Sequence, residues 1–287
     1  MRQRLKRTGL IAAAVALLML LAVGVNTGRQ WAGWTGASDT AAERRAALLP
    51  YWQLTPPPAG VAEIGGAVLL SGCDGVHDNM DFWAGRLASH GYLALVLDSH
   101  SPRGLDRLEA WRLVCAGQAL PGAERAGDVA VALADPVLPP GRRVVLGASH
   151  GGWAAMEFLR QAVTGQPSPA LQSWPATHPR LLASLDAVIL LYPYCGLLNG
   201  ADQGDWTRAP PILMLLAAED QIISTPACED LADRLRRRGA RITVTLLADA
   251  DHGFDQNERS SLSPLSFDPE MRERASGLVD DFLASSE

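Results

Sequence analysis

A serine hydroxyl is a weak nucleophile at neutral pH. It becomes reactive when an imidazole can take its proton and a carboxylate fixes the tautomer of that imidazole and stabilises its cation. Three residues of this chain have the types and surroundings for that chemistry. Ser149 lies in Gly147-Ala148-Ser149-His150-Gly151, which fits the G-x-S-x-G pattern at every fixed position and follows the apolar run Val144-Val145-Leu146. A serine on so sharp a strand-to-helix turn needs glycines on both sides, where a Cβ would collide as strand and helix approach each other. Asp220 lies in Ala217-Ala218-Glu219-Asp220, and His252 in Asp251-His252-Gly253-Phe254, each just after an apolar run. The chain order of serine, acid and histidine suits an elbow nucleophile. Taken singly, Asp220 also suits a helix cap or a turn, and His252 an ordinary loop. Glu219 and Asp251 are weaker acids for the role, and His77, His90, His100, His150 and His178 weaker bases.

Acyl transfer also needs donors aimed at the oxyanion. The residue after the nucleophile supplies one amide, here that of His150, and a turn following another strand supplies the second. Ser71-Gly72-Cys73-Asp74-Gly75 follows the apolar run Ala67-Val68-Leu69-Leu70, and the second donor is assigned to Cys73.

The elements that must position these groups alternate along the chain. Strands are expected over residues 67–70, 92–97, 144–146, 187–191, 212–216 and 242–247. Helices are expected over residues 41–49, 80–90, 105–115, 123–134, 152–159, 226–238 and 270–284. Continuous apolar runs separated by amphipathic helices describe an α/β fold, a mostly parallel, doubly wound sheet with helices on both faces. In such sheets ligands bind beyond the carboxyl ends of the strands, where Ser149, Asp220 and His252 all fall. The expected organisation is residues 1–25 as signal peptide or signal anchor, 26–59 as linker and N-terminal arm, and 60–287 as one domain.

With 48% hydrophobic residues in 287 the chain can bury a large core, and its net charge of -6, without a basic stripe, argues against nucleic acid as a partner. Arg2, Arg4, Lys6 and Arg7 precede an uncharged apolar run over residues 9–25, the pattern of a segment that directs export. A small-x-small pair at Ala22 and Gly24 suits cleavage, whereas Trp31 and Trp34 suit an interfacial belt beside an uncleaved anchor. The membrane is a partner only in the second case. Cys73, Cys115, Cys195 and Cys228 permit disulfides in an exported chain, and their spacing leaves all three pairings open. No Cys-x-x-Cys occurs, so a zinc site is not expected. No metal or cofactor is required by the chemistry above.

Several stretches together resemble the dienelactone hydrolase family of α/β-hydrolases, in its serine-nucleophile branch. They are Leu70-Ser71-Gly72-Cys73-Asp74-Gly75, residues 86–92, Asp98-Ser99-His100-Ser101-Pro102-Arg103-Gly104, Ser149-His150-Gly151-Gly152-Trp153, Tyr192-Pro193-Tyr194-Cys195-Gly196 and Asp251-His252-Gly253-Phe254-Asp255. Three departures stand out. Ser149 replaces the cysteine nucleophile of the well-studied members, Ser71-Gly72-Cys73 carries no glutamate to control a resting thiolate, and Ser71 stands where many relatives have histidine. The resemblance therefore implies esterase chemistry on a carboxylic ester or lactone rather than true dienelactone turnover. It also implies a Cys195–Cys228 disulfide and allows Cys73–Cys115. A peptidase or acyltransferase on the same fold, or a binding protein without activity, would share these motifs. Arg103 is read as structural, paired with Asp98 or a loop carbonyl, with a substrate carboxylate as the alternative. Trp153 is read as helix packing, residues 166–179 as a lid or a surface insertion, and Arg236-Arg237-Arg238 as a solvated helix face.

Overall fold

Gly65–Leu70, Ala187–Leu191 and Ile212–Ala217 contain no polar side chain, and every residue in them is buried. The computed structural model, which describes residues 2–34, 38–259 and 263–285, places all three inside a seven-stranded sheet. In chain order the elements begin α1 (Arg2–Trp31), α2 (Ala41–Leu48), β1 (Trp52–Thr55), β2 (Gly65–Leu70), α3 (Asp78–Ser89) and β3 (Tyr92–Leu97). They continue with α4 (Arg107–Glu109), α5 (Gly122–Ala134), β4 (Arg142–Ala148), α6 (His150–Thr164) and α7 (His178–Ala183). The last five are β5 (Ala187–Leu191), β6 (Ile212–Ala217), α8 (Thr225–Arg237), β7 (Ile242–Leu247) and α9 (Pro269–Ser285). The strand order is β1-β3-β2-β4-β5-β6-β7, and only the β1–β3 pairing is antiparallel. This is the mostly parallel, doubly wound α/β sheet that the apolar runs call for.

Alternate residues of each strand serve opposite faces of the sheet. Ala67, Leu69, Ala94, Val144, Leu146, Ile189 and Leu215 pack with Trp83 and Leu87 of α3 and Val279 and Leu283 of α9. Val68, Leu70, Leu95, Val145, Leu190 and Met214 pack with α5, α6, α7 and Leu231 and Leu235 of α8. Edge strand β7 keeps Thr243 exposed, as expected where one side of the sheet ends in water.

The crossovers run in opposite directions from the β2–β4 boundary. β2 pairs in parallel with β4 with Leu70 opposite Gly147, so the turn at Ser71 and the elbow at Ser149 emerge side by side. A reversal of this kind opens the crevice in which doubly wound sheets bind ligands.

Some expectations shift. Trp52–Thr55, expected within the arm, joins the sheet as β1. Residues 26–31, assigned to the linker, continue α1, and the helix expected over residues 105–115 is only α4 followed by the π-helical turn Ala110–Val114. Among the described residues one helix is long and apolar enough to cross a membrane, the 24 residues Arg7–Gln30, in which an 18-residue window has mean hydropathy 2.5 and none of it is buried. Trp34 is exposed, and the Trp31 side chain lies outside the described residues.

Candidate active site

The elbow is enforced by lack of space. A Cβ on Gly147 would come within 2.5 Å of the Gly151 backbone, and one on Gly151 within 2.2 Å of the Leu70 carbonyl oxygen. Ser149 sits between them at φ 50° and ψ -112°, a conformation unfavourable to any residue with a Cβ. The fold holds it there: the Ser149 amide donates to the Leu191 carbonyl at 2.8 Å, and its own carbonyl accepts from Trp153 and Tyr194 at 3.1 Å each. The result lifts the hydroxyl above the start of α6.

There the structure brings Ser149, Asp220 and His252 together. Ser149 Oγ lies 2.9 Å from His252 Nε2, and His252 Nδ1 lies 2.7 Å from Asp220 Oδ2. A carboxylate can only accept, so these partners assign the proton to Nδ1 and leave Nε2 to accept from the serine. Asp220 Oδ1 accepts the amides of Ile222 and Ile223 at 2.9 and 2.7 Å, which fixes the carboxylate from behind. Glu219 is exposed. Asp251 accepts the amides of Gln221 and His252 at 3.1 and 2.7 Å, tying the acid loop to the histidine loop instead of meeting the imidazole ring.

The histidine loop is anchored below. Tyr192 packs edge-on against the His252 ring at 4.8 Å, and its hydroxyl donates to the buried Asp255. Trp83 Nε1 donates to the other Asp255 oxygen at 2.6 Å. Burial pushes the Asp255 carboxyl up, and the bonds from Tyr192 and Trp83 offset part of that rise. Tyr192 itself has φ 35°, a second strained residue within the packed support of the site.

The turn assigned to the second oxyanion donor lies against the nucleophile, since a Cβ on Gly72 would stand 4.0 Å from Ser149 Cβ. Among the described residues, the amides of Cys73 and His150 donate to no backbone carbonyl, as amides kept for a ligand require. Cys73 is disulfide-bonded to Cys115, and Cys195 to Cys228. The second bridge joins the loop after β5 to the first turn of α8, steadying the chain on either side of β6 and Asp220. His77, His90 and His178 lie in other contacts: His77 beside Asp74 and Glu258, His90 with Asp280, and His178 with the Ala162 carbonyl.

Arg103 is structural, and the loop carbonyl expected as its partner is that of Ser99, whereas Asp98 is not a partner. The arginine meets Asp128 through two nitrogens at 2.9 and 3.1 Å, Glu124 at 3.1 Å and the Ser99 carbonyl at 2.7 Å, while Asp98 accepts from the amides of His100 and Ser101. The short helical turn Ser101–Arg103 ends at Gly104, φ 67°, and the Arg103 side chain meets Glu124 and Asp128 of α5. Trp153 is buried between His150 and Tyr194 and donates to Glu157 at 3.1 Å. Residues 166–179 are fastened by Ser168 Oγ to the Ala123 and Glu124 carbonyls and by Leu171 to Asp39; among the described residues they make no hydrogen bond to the Ser149 group. Cavities of about 300 and 320 Å³ flank Pro121, and neither is lined by Ser149, Asp220 or His252. Among the described residues no three His, Cys, Asp or Glu side chains converge as a metal site.

Comparison with known proteins bears on the fold. Residues 176–286 match the Dienelactone hydrolase family, and that segment contains Asp220 and His252. A search of curated proteins gives no match. Among solved structures, one titled m3DLH has TM-score 0.62 and 21% identity over 82% of this chain and 92% of its own. A dienelactone hydrolase-like promiscuous phosphotriesterase from metagenomic libraries has TM-score 0.57 and 18% identity, over 82% and 91% of the two chains. Esterase 2 of Thermogutta terrifontis, phosphonylated by cyclosarin, has TM-score 0.55 and 15% identity, over 82% and 88%. The sheet is that of the α/β-hydrolase fold.

Proposed function

We propose that this α/β-hydrolase chain, with its dienelactone hydrolase-family segment, is a serine hydrolase of carboxylic esters or lactones. The observation that carries the reading is the connected line from Asp220 through His252 to Ser149, at 2.7 and 2.9 Å, on the strained elbow. Ser149 Oγ attacks the substrate carbonyl as its proton passes to His252 Nε2, and Asp220 stabilises the resulting imidazolium. The amides of Cys73 and His150 receive the oxyanion, helped by the positive end of α6. His252 then returns the proton to the departing alkoxide, leaving an acyl group on Ser149. Water, deprotonated by His252, attacks that acyl group, and the proton returns to Ser149 Oγ as the acid leaves. For a lactone the alkoxide and acyl group are the two ends of one product.

We also propose that residues 60–287 with β1 form the catalytic domain and that α1 carries it across or to a membrane during export, with the basic N-terminus on the cytoplasmic side. The two disulfides support an extracytoplasmic site for the domain.

The test is intact mass of the full-length, detergent-solubilised protein after incubation with a fluorophosphonate, beside Ser149→Ala. One adduct on the wild type and none on the variant is expected. A folded wild type that takes no adduct, or an adduct that survives in Ser149→Ala, overturns the reading.

A further inference from the structure

Beneath the Ser71–Cys73 turn lie two buried basic side chains that the mechanism above does not use. Arg125, on α5, is fully buried. Its Nη1 donates to the Ser71 carbonyl at 2.8 Å and lies 3.1 Å from His150 Nδ1, and its Nη2 donates to Ser71 Oγ at 3.2 Å. A guanidinium has no acceptor, so His150 Nδ1 must be the acceptor. His100, 2% exposed, places Nε2 3.1 Å from the Cys73 carbonyl, and a carbonyl makes that nitrogen the donor.

These contacts have a definite backbone consequence. The Ser71 carbonyl belongs to the peptide before Gly72, and the Cys73 carbonyl to the peptide after Cys73. The peptide between them carries the Cys73 amide. Holding both flanking planes leaves that amide little freedom to swing away from Ser149. Arg125 reaches the other donor as well, because the His150 ring it holds belongs to the residue whose amide is the first oxyanion donor. One guanidinium on α5 therefore touches both halves of the hole from behind, with no access to the substrate.

We infer that Arg125 and His100 are positioning residues that clamp the Ser71–Cys73 turn and the His150 ring so that the two oxyanion amides are aimed before substrate arrives. The inference rests on the serine hydrolase reading above. Burial, with Arg125 next, pushes His100 down to about 3, and burial with Arg125 and His100 pushes His150 far down, so both imidazoles are neutral at working pH. Burial lowers the Arg125 guanidinium to about 10, and it stays charged at neutral pH. The cost of burying that charge is met in part by Asp128 and Asp98 nearby.

The test compares Arg125→Lys, His100→Leu and His100→Gln with the wild type as full-length proteins in detergent, with rates expressed per Ser149 titrated by fluorophosphonate. Lysine keeps the charge but not the forked contact, and glutamine can still donate to the Cys73 carbonyl. We expect Arg125→Lys and His100→Leu to lower kcat on a p-nitrophenyl ester about 10- to 100-fold with little change in KM, since the lost interaction is made in the transition state. The inhibition constant of a trifluoromethyl ketone, which forms an oxyanion on Ser149, should rise by the same factor, and His100→Gln should recover most of the loss. A purely packing role would lower the titrated fraction and leave kcat per site and the ketone constant unchanged, which overturns the inference. If Arg125→Lys does not fold, the His100 pair decides by the same criteria. Absence of fluorophosphonate labelling on the wild type overturns the hydrolase reading instead.

Discussion

Cys73 and Cys115 are joined across 42 residues of sequence, with Cα atoms 5.0 Å apart, so the turn beside Ser149 is tied covalently to the π-helical turn after α4. Closing a loop of that length restricts the unfolded chain, typically by about 2–4 kcal/mol. The Cys73→Ala, Cys115→Ala double variant should lose about that much in urea unfolding. It should also lose kcat more than it gains KM, because the Cys73 amide is released along with the side chain. Unchanged kcat per titrated Ser149 would mean that hydrogen bonds alone hold the turn.

Ser149 stands at φ 50°, where a Cβ is strained by about 1–3 kcal/mol. Ser149→Ala and Ser149→Gly both remove the nucleophile, and only the second removes the strain. Despite the entropy that glycine costs in the unfolded chain, Ser149→Gly should be the more stable of the two by about 1 kcal/mol. Thermal melts of the two inactive proteins read the difference, and equal melting temperatures would show the elbow to be relaxed.

These residues differ in how openly the sequence announced them. The inner strands were readable because parallel strands buried on both faces have no alternation to hide, and the elbow glycines because steric exclusion leaves no other residue. Trp52–Thr55 was not: it is four residues long, only partly buried at its two ends, and its pairing with β3 is a long-range antiparallel contact that nothing local encodes. Arg125 was missed for another reason. It sits in Ala123-Glu124-Arg125-Ala126-Gly127-Asp128, where a charged residue in a helix reads as solvent-facing, yet all of residues 125–133 are buried. Glu124, Arg125 and Asp128 fall in one sector of the helix, the pattern of a solvent-facing stripe, so no local signal showed that this face is covered. For Arg103 the loop carbonyl was within reach as Ser99, four residues away, but Asp128 was not, since it is on another element 25 residues away.

His77 Nε2 lies 3.1 Å from Asp74 Oδ2, and its Nδ1 3.5 Å from Glu258, beside the Ser71–Cys73 turn. Burial works against the His77 cation, but Asp74 and Glu258 outweigh it and raise the imidazole above its ordinary range. Burial likewise opposes the Asp74 anion, and His77 and Gln256 outweigh it and hold the carboxyl below its ordinary range. The raised histidine binds its proton more tightly folded than unfolded. Its contribution is complete below the ordinary histidine value of about 6.5 and fades as pH rises through the raised value. The lowered carboxyl contributes above its ordinary value of about 3.9 and fades as pH falls through the lowered one. Melting temperature against pH for wild type and His77→Gln should therefore differ most at about pH 5–6 and converge at alkaline pH. A gap that widens above neutrality would contradict the pairing.

The acid can be identified by a substitution that keeps its shape. In Asp220→Asn, the oxygen that accepts from Ile222 and Ile223 can remain, so the loop has no reason to move. The group facing His252 Nδ1 becomes an amide NH₂, which donates, so the imidazole must carry its proton on Nε2. That nitrogen can then no longer take the proton of Ser149. Loss of kcat by about 10⁴-fold is expected from a wrong tautomer in a serine–histidine–aspartate system, with little change in melting temperature. Glu219→Gln serves as the control: its side chain is exposed and does not meet His252, so its kcat should stay within about twofold of wild type. If instead Glu219→Gln were the damaging change and Asp220→Asn mild, the carboxylate 2.7 Å from His252 Nδ1 would not be the one that orients it during turnover.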